Sequence, residues 1–105
     1  MGLTKSQIFT EEQNEIASFA KMLGHPARIA ILQHIIQQNA CICNDLVQEI
    51  GLAQATISQH LRELKNIGII QGTIEGTSVC YCINSERWNE IQQKLTALFT
   101  NANCC

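Results

Sequence analysis

The sequence predicts a mostly helical protein that carries one small β-hairpin. Apolar residues recur at helical spacing along most of the chain, and only the stretch from Ile69 to Ile83 has the alternation of strands. The 105 residues, 46% of them apolar, suffice for one domain with a modest core. We expect a single domain over 1–105, ordered over about 8–99, with a mobile tail over 101–105.

Charge and hydropathy limit the possible functions. Seven basic and nine acidic residues give a net charge of −2, so any DNA affinity must come from locally placed groups. No stretch approaches the roughly 18 to 20 apolar residues that cross a bilayer. Glu11, Glu12 and Glu15 fall where a secretion signal would be apolar. We expect a soluble, cytoplasmic protein without a membrane partner.

Two helices are predicted in the first third of the chain. Thr10 and Gln13 form a capping-box pattern for the first, which ends at Gly24. Pro26 suits the first position of the second helix, because its φ is already helical and its missing N–H would have been unpaired there. The predicted buried stripe of the second helix consists of Ile29, Leu32, Ile35 and Ile36.

A helix-turn-helix pattern follows. Asn44 is a plausible N-cap for a short helix that Gly51 closes, and the next helix runs from about Gln54 to Asn66. Ile57, Leu61 and Leu64 face inward. At about 100° per residue the outward arc of this helix carries polar side chains: Gln59, Arg62 and Asn66 together with Ala55, flanked by Ser58 and Lys65.

A hairpin and a last helix complete the chain. Gly68 stops the preceding helix, and Ile69 to Ile74 and Thr77 to Ile83 form two strands joined by Glu75 and Gly76. Asn84 or Ser85 caps the last helix. Its apolar stripe consists of Trp88, Ile91, Leu95, Leu98 and Phe99. A hairpin directly after a helix-turn-helix makes the fold class a winged helix-turn-helix.

The polar face of the second helix of this motif suits DNA readout. Gln, Ser and Thr can both donate to and accept from base edges, and Arg binds guanine or phosphate. The predicted DNA-facing residues are Gln54, Thr56, Ser58, Gln59 and Arg62, with Lys65 beside them. The alternative is an ordinary solvated helix face.

Three segments carry a family resemblance. These segments are "LGHPARIAIL" (23–32), "CICNDLVQEIGLAQATISQHLRELKNIGII" (41–70) and "EGTSVCYCI" (75–83). They resemble the ArsR/SmtB family of metal-responsive repressors, and the resemblance extends over roughly residues 8–99. The resemblance implies a homodimer built on the first and last helices. Its two recognition helices would enter successive major grooves of an imperfectly palindromic operator. His60 matches the usual family histidine, which implies packing or a phosphate contact, and it is therefore included among the predicted DNA-binding residues.

Two features depart from the family pattern. The wing, "QGTIEG", has no Lys or Arg, which puts wing contacts to phosphate in doubt. Ala53 stands where a serine is usual, which weakens the expected cap of the recognition helix.

The six cysteines fall into three close pairs: Cys41 with Cys43, Cys80 with Cys82, and Cys104 with Cys105. Since nothing points to export, free thiols or ligands are favoured over disulfides. Cys41 and Cys43 lie where the family has its C-x-C arsenic and cadmium type of site, although Asn44 adds one residue to that pattern. Thiolates are soft donors, and a helix N-terminus lowers a nearby thiol pKa.

Cys41 and Cys43 are therefore the primary metal ligands predicted. The inducer expected is As(III) or Sb(III), with Cd(II) or Cu(I) as other thiophilic candidates. Trivalent arsenic prefers three thiolates, and Cys104 or Cys105 could supply the third donor, even from the other subunit. The alternative for Cys41 and Cys43 is that they are small buried hydrophobes.

Cys80 and Cys82 share one strand face, opposite Val79, Tyr81 and Ile83. If the bulky face is the core, both thiols are exposed and could form a second site or a redox-sensitive pair. Otherwise they are simply small side chains.

Several rival functions differ in their sequence signals. A zinc site of Asp and His on the last helix is excluded, because 85–100 contains neither residue. The chain shows no nucleophile with its base and no phosphate-binding loop, so an enzyme is not expected. A redox- or persulfide-responsive repressor and a winged helix without an inducer remain alternatives.

Overall fold

The predicted order of elements is confirmed. The computed structural model describes residues 8–38, 41–42, 46–75 and 78–101. Its helices are α1 (Glu11–Leu23), α2 (Pro26–Gln38), α3 (Leu46–Ile50), α4 (Gln54–Asn66) and α5 (Ser85–Thr100). Strands β1 (Ile70–Glu75) and β2 (Ser78–Ile83) lie between α4 and α5. Among the described helices none combines the length and the apolar character needed to span a bilayer.

The helix ends follow their local chemistry. The Thr10 hydroxyl accepts a hydrogen bond from the Gln13 N–H at 3.0 Å, and the Gln13 side chain accepts one from the Thr10 N–H, which confirms the capping box. Asn84, rather than Ser85, caps α5 by accepting from the Arg87 N–H at 3.3 Å. Ala53 gives α4 no side-chain cap, as predicted.

The hairpin gains a third segment that the sequence did not predict. β1 and β2 are antiparallel, with Ile70 opposite Ile83. Each strand starts one residue later than predicted, and residues 76–77 lie outside the described part of the chain. Ile42 forms an isolated antiparallel bridge with Tyr81, and the two residues exchange N–H to oxygen hydrogen bonds of 2.9 and 2.8 Å. The segment that leads toward α3 is thereby held against the outer edge of β2.

One apolar core joins these elements. Ile57, Leu61 and Leu64 of α4 face inward, as predicted. They belong to a buried cluster that draws on α1 to α5, on Ile42 and on the start of the hairpin. Its remaining members are Phe19, Ile31, Leu32, Ile35, Ile42, Leu46, Ile69, Ile70 and Ile91. The polar face of α4 is therefore turned away from the core.

Two predicted apolar stripes are wrong in part. On α2, Ile29 and Ile36 are 36% and 48% exposed, while His34 is buried. Apolar residues lie on most sides of α2, so their spacing does not single out one face. On α5, Leu98 and Phe99 are exposed although Ile91 is buried. These side chains have no cover within the part of one chain that the structure describes.

Candidate DNA interface and thiol site

The predicted DNA-facing residues share one exposed surface of α4. Gln54, Thr56, Gln59, Arg62 and Lys65 are exposed, and Ser58 is half-buried. Exposure on one helix face is what groove contact requires.

Side chains on this surface already bond to one another. Gln54 Nε2 donates to Ser58 Oγ at 3.2 Å, and Arg62 Nη1 donates to Gln59 Oε1 at 3.0 Å. Gln59 Nε2 in turn donates to Glu63 Oε1 at 3.0 Å. These bonds keep the polar groups in an ordered row along the helix, where base edges could replace them as partners.

His60 lies elsewhere. It is only 7% exposed and its ring packs edge-on against His25 at 4.5 Å. Arg28 Nε donates to His60 Nδ1 at 3.3 Å. Burial, together with the positive charges of His25 and Arg28, lowers the pKa of His60. These contacts favour packing over the phosphate contact for which the sequence analysis had included His60 among the DNA-binding residues.

Arg28 fastens α4 to α2. Its guanidinium forms an ion pair with Glu63, and both side chains are largely withdrawn from solvent. The same guanidinium donates to the Lys21 carbonyl oxygen at 3.4 Å, at the end of α1. The side chain of Arg28 therefore joins α1, α2 and α4.

Arg87 makes a second set of contacts, at the C-terminal cap of α4. Its guanidinium lies 4.6 Å from the Phe19 ring centroid, donates to the Ile67 carbonyl oxygen at 3.4 Å, and pairs with Glu15 at 3.5 Å. Glu15 also pairs with Lys94 at 3.6 Å. Helices α1 and α5 are thus tied to each other and to the turn after α4.

A disulfide joins two cysteines that the sequence analysis had placed in separate pairs. Cys41 is bonded to Cys82, with their Cα atoms 4.4 Å apart. The cause is the Ile42–Tyr81 bridge, because residues flanking a hydrogen-bonded antiparallel pair lie opposite one another at about 4.5 Å. The prediction of free thiols is therefore wrong for these two residues in this structure. Cys41 is exposed and Cys82 is half-buried.

Cys80 decides between the two orientations of β2 that the sequence left open. It is fully buried, whereas Val79 is 43% exposed, so the face that carries Cys80 is turned toward the core. Cys80 is likewise disulfide-bonded. The condition for an exposed thiol, a bulky inner face, is therefore not met, and Cys80 is a small buried side chain.

The remaining predicted ligands, Cys43, Cys104 and Cys105, lie outside the described residues. Within the described ranges, no group of three or more Cys, His, Asp or Glu side chains could hold a metal ion. Sequence reasoning missed the partnership of Cys41 with Cys82. The available signal was the equal spacing of two C-x-C motifs, centred on Ile42 and Tyr81.

A cavity of about 340 Å³ opens beside the disulfide. Ile35 and Ile36 of α2 and Trp88 of α5 form its apolar walls, and Cys41 and Cys82 line it as well. Ile83 and Ser85 complete the lining, so thiol chemistry at these two residues would take place next to a partly apolar, open cavity.

The family of the chain follows from comparison with known proteins. Residues 25–71, from the start of α2 to the first strand, match the family model described as "Bacterial regulatory protein, arsR family". An uncharacterised HTH-type transcriptional regulator of Methanocaldococcus jannaschii is 35% identical over 82 residues, which are 77% of this chain and 91% of that protein.

Two further relatives carry names that refer to metals. A cadmium resistance transcriptional regulatory protein homologue of Staphylococcus aureus is 30% identical, over 86% of this chain and 74% of its own length. The arsenical resistance operon repressor of Staphylococcus xylosus is 28% identical, over 87% of this chain and 86% of its own length.

Solved structures agree on the fold. HlyU from Vibrio cholerae matches with a TM-score of 0.70 and 20% identity, over 89% of this chain and 100% of that one. The homodimeric winged helix-turn-helix DNA-binding domain of a possible ArsR-family regulator from Mycobacterium bovis matches with a TM-score of 0.69 and 21% identity, over 94% and 89% of the two chains. The chain belongs to the arsR family of bacterial regulatory proteins, and is a transcriptional regulator with a winged helix-turn-helix fold rather than an enzyme.

Proposed function

We propose that the chain is a homodimeric repressor that leaves its DNA operator when cysteine thiolates capture a thiophilic metalloid, As(III) or Sb(III). One observation carries the proposal. Cys41 lies on the segment that leads into the helix-turn-helix and is in bonding contact with Cys82 on the wing strand. A ligand at Cys41 therefore acts where the helix-turn-helix meets the wing.

DNA contact is assigned to the exposed row on α4: Gln54, Thr56, Ser58, Gln59, Arg62 and Lys65. The hydrogen bonds within this row support the assignment, because they show donors and acceptors arranged along one side of the helix. The amides at the start of α4 have no side-chain cap and are available to a phosphate.

The dimer is assigned to α1 and α5. Phe9, Leu98 and Phe99 are 50%, 54% and 68% exposed, and apolar exposure of this kind marks an interface. The Mycobacterium bovis neighbour is described as homodimeric. A two-fold dimer places two recognition helices about one DNA turn apart, which implies an imperfectly palindromic operator.

Cys41 and Cys43 are the primary ligands in this proposal, with Cys104 and Cys105 as further donors. Two relatives are named for arsenical and cadmium resistance, and soft thiolates suit As(III), Sb(III), Cd(II) and Cu(I). A cytoplasmic protein would hold these thiols reduced and ready to bind.

Ligand capture at Cys41 would shift α3 against α4. The spacing of the two recognition helices in the dimer would then no longer fit successive major grooves. A coupling free energy of about 1 to 3 kcal/mol is enough for such a response. By thermodynamic linkage, bound DNA must lower the affinity of the protein for the metalloid by the same factor.

A redox-responsive repressor is the second candidate. The Cys41–Cys82 disulfide favours it directly, because oxidation of two thiols would fasten the segment before α3 to the wing. An oxidant would then replace the metalloid as the signal.

Fluorescence anisotropy on a palindromic operator tests the choice. The reduced dimer is titrated in parallel with arsenite, antimonite, cadmium, copper(I), zinc and polysulfide. We expect arsenite or antimonite to release DNA at the lowest concentration and zinc to do little. If only polysulfide releases DNA, the protein is the redox-responsive repressor described above. If zinc releases DNA at a lower concentration than arsenite or antimonite, the assignment of the inducer is refuted.

A further inference from the structure

Cys41 and Cys82 meet at the rim of a cavity, and this arrangement goes beyond the C-x-C pair of the proposed function. We propose that, when reduced, these two residues form a dithiol site for a trivalent arsenic or antimony compound that carries one apolar organic substituent. The substituent would occupy the cavity between α2 and α5. The binding site stands on its own geometry, and only its effect on DNA rests on the proposed function.

The sulfur atoms are correctly placed for one atom to bridge them. Cys41 and Cys82 lie opposite each other across an antiparallel bridge, with Cα atoms 4.4 Å apart. The hydrogen bonds of Ile42 with Tyr81 hold the two backbones in this register. Cys41 is exposed and Cys82 is half-buried, so a reagent can reach both.

The number of bonding positions that trivalent arsenic leaves open to sulfur determines the class of ligand. Inorganic arsenite offers three positions to sulfur, but an arsenic atom that already carries one carbon substituent offers two. Two thiols therefore satisfy a mono-substituted arsenical completely. In the described part of the chain no third Cys, His, Asp or Glu joins this pair as a metal-binding group.

The cavity is the reason to expect an organic substituent on the arsenic atom. Its volume is about 340 Å³, and Ile35, Ile36 and Trp88 line it beside the two cysteines. A dry apolar cavity of about 150 Å³ is known to hold benzene, so a phenyl group fits this one in size. Burial of the ring against these side chains would add affinity that inorganic arsenite cannot gain.

The reaction balances without a change of oxidation state at arsenic. A dithiol reductant first opens the Cys41–Cys82 disulfide and is itself oxidised to a disulfide. The compound R–As(OH)₂ then forms two As–S bonds, and its two hydroxyl groups leave with the two thiol protons as two water molecules. Arsenic stays trivalent throughout.

Trp88 supplies a direct readout, because it is the one tryptophan of the chain and lines the cavity. The full-length chain is reduced, freed of reductant and titrated with phenylarsine oxide. Tryptophan emission and the number of titratable thiols are followed together. We expect one equivalent to change the emission of Trp88 and to consume two of the six thiols.

Single variants identify the thiols. Cys82→Ser should weaken phenylarsine oxide binding by about 100-fold or more, because the gain from two linked bonds is lost. If Cys43→Ser weakens binding while Cys82→Ser does not, the reagent bridges Cys41 and Cys43. That outcome would overturn this inference and leave the proposed function standing.

A cavity variant tests the organic substituent. Ile36 is 48% exposed, so Ile36→Asp should fold, which circular dichroism checks. We expect this variant to lower the affinity for phenylarsine oxide by about tenfold, because apolar contact is lost, and to leave the affinity for arsenite unchanged. Equal effects on both compounds, or none on either, would contradict a role for the cavity. Failure of arsenite to release DNA from the parent chain would count against the proposed function alone.

Discussion

Arg28 on α2 and Glu63 on α4 form an ion pair that holds the recognition helix against the rest of the domain. Their side chains are 13% and 31% exposed, so the pair is mostly shielded from water. Glu63 also accepts the hydrogen bond from Gln59, a residue of the DNA-facing row. The contact therefore links the core to the surface proposed to bind DNA.

Glu63→Ala should destabilise the protein by about 1 to 3 kcal/mol, because it leaves the charge of Arg28 partly buried without its carboxylate. Urea unfolding followed by circular dichroism measures this change. Glu12→Ala on the exposed side of α1 is the matched control and should lower the free energy of unfolding by much less. Equal losses in the two variants would show that the Arg28–Glu63 pair does not stabilise the fold.

The lowered pKa of His60 predicts a pH-dependent stability. In the unfolded chain the pKa returns to about 6.5, so near and below that pH the unfolded state binds more protons than the folded state. This contribution is fully present above pH 6.5 and is lost as the pH falls toward the folded pKa. The urea midpoint should therefore rise between pH 5 and pH 8.

His60→Gln removes this titration and should flatten the rise, whatever its effect on absolute stability. Only the slopes of the two proteins against pH are compared. An unchanged slope would mean that His60 titrates equally in both states, contrary to its burial beside His25 and Arg28.

Ala53→Ser should stabilise the protein by about 0.5 to 2 kcal/mol, since α4 begins without a side-chain hydrogen bond and serine can supply one. Asn84→Ala is the reciprocal variant, because it removes the cap that α5 does have, and should cost a similar amount. Thermal unfolding of both variants checks the pair. A loss of stability in Ala53→Ser would show that residue 53 cannot act as a cap.

Gln59→Ala should reduce discrimination between the operator and single base-pair variants by about 1 to 3 kcal/mol at one position, the contribution of one bidentate base contact. Gln33→Ala, also exposed but on α2, is the matched control and should change neither affinity nor specificity. Anisotropy on a set of singly substituted operators measures both. A uniform loss across all operators would assign Gln59 to the phosphate backbone instead.

The recognition helix could be predicted from the sequence because its two faces differ in chemistry. Ile57, Leu61 and Leu64 fall on one side, and the structure buries all three. Thr10 and Asn84 mark helix starts by short-range hydrogen bonds that residue types alone reveal. Such features need no knowledge of distant parts of the chain.

Features that depend on tertiary contact could not be predicted. Ile36 is exposed and His34 is buried on a helix whose apolar residues surround it, and only packing against neighbours decides between them. Cys41 and Cys82 are 41 residues apart, and the matching C-x-C spacing alone does not establish the Ile42–Tyr81 bridge that brings them together. Spacing within one segment therefore paired the cysteines wrongly.

The most direct test of the central claim is DNA release by arsenite in the Cys41→Ser/Cys43→Ser double variant, followed by anisotropy with the reduced protein. Cys104→Ser/Cys105→Ser, which removes the proposed further donors, should raise the arsenite concentration needed for release without abolishing release. We predict that the first variant binds the operator like the parent chain and no longer releases it at any arsenite concentration that frees the parent. Release from that variant at the parental concentration would contradict a thiol switch at the start of the helix-turn-helix.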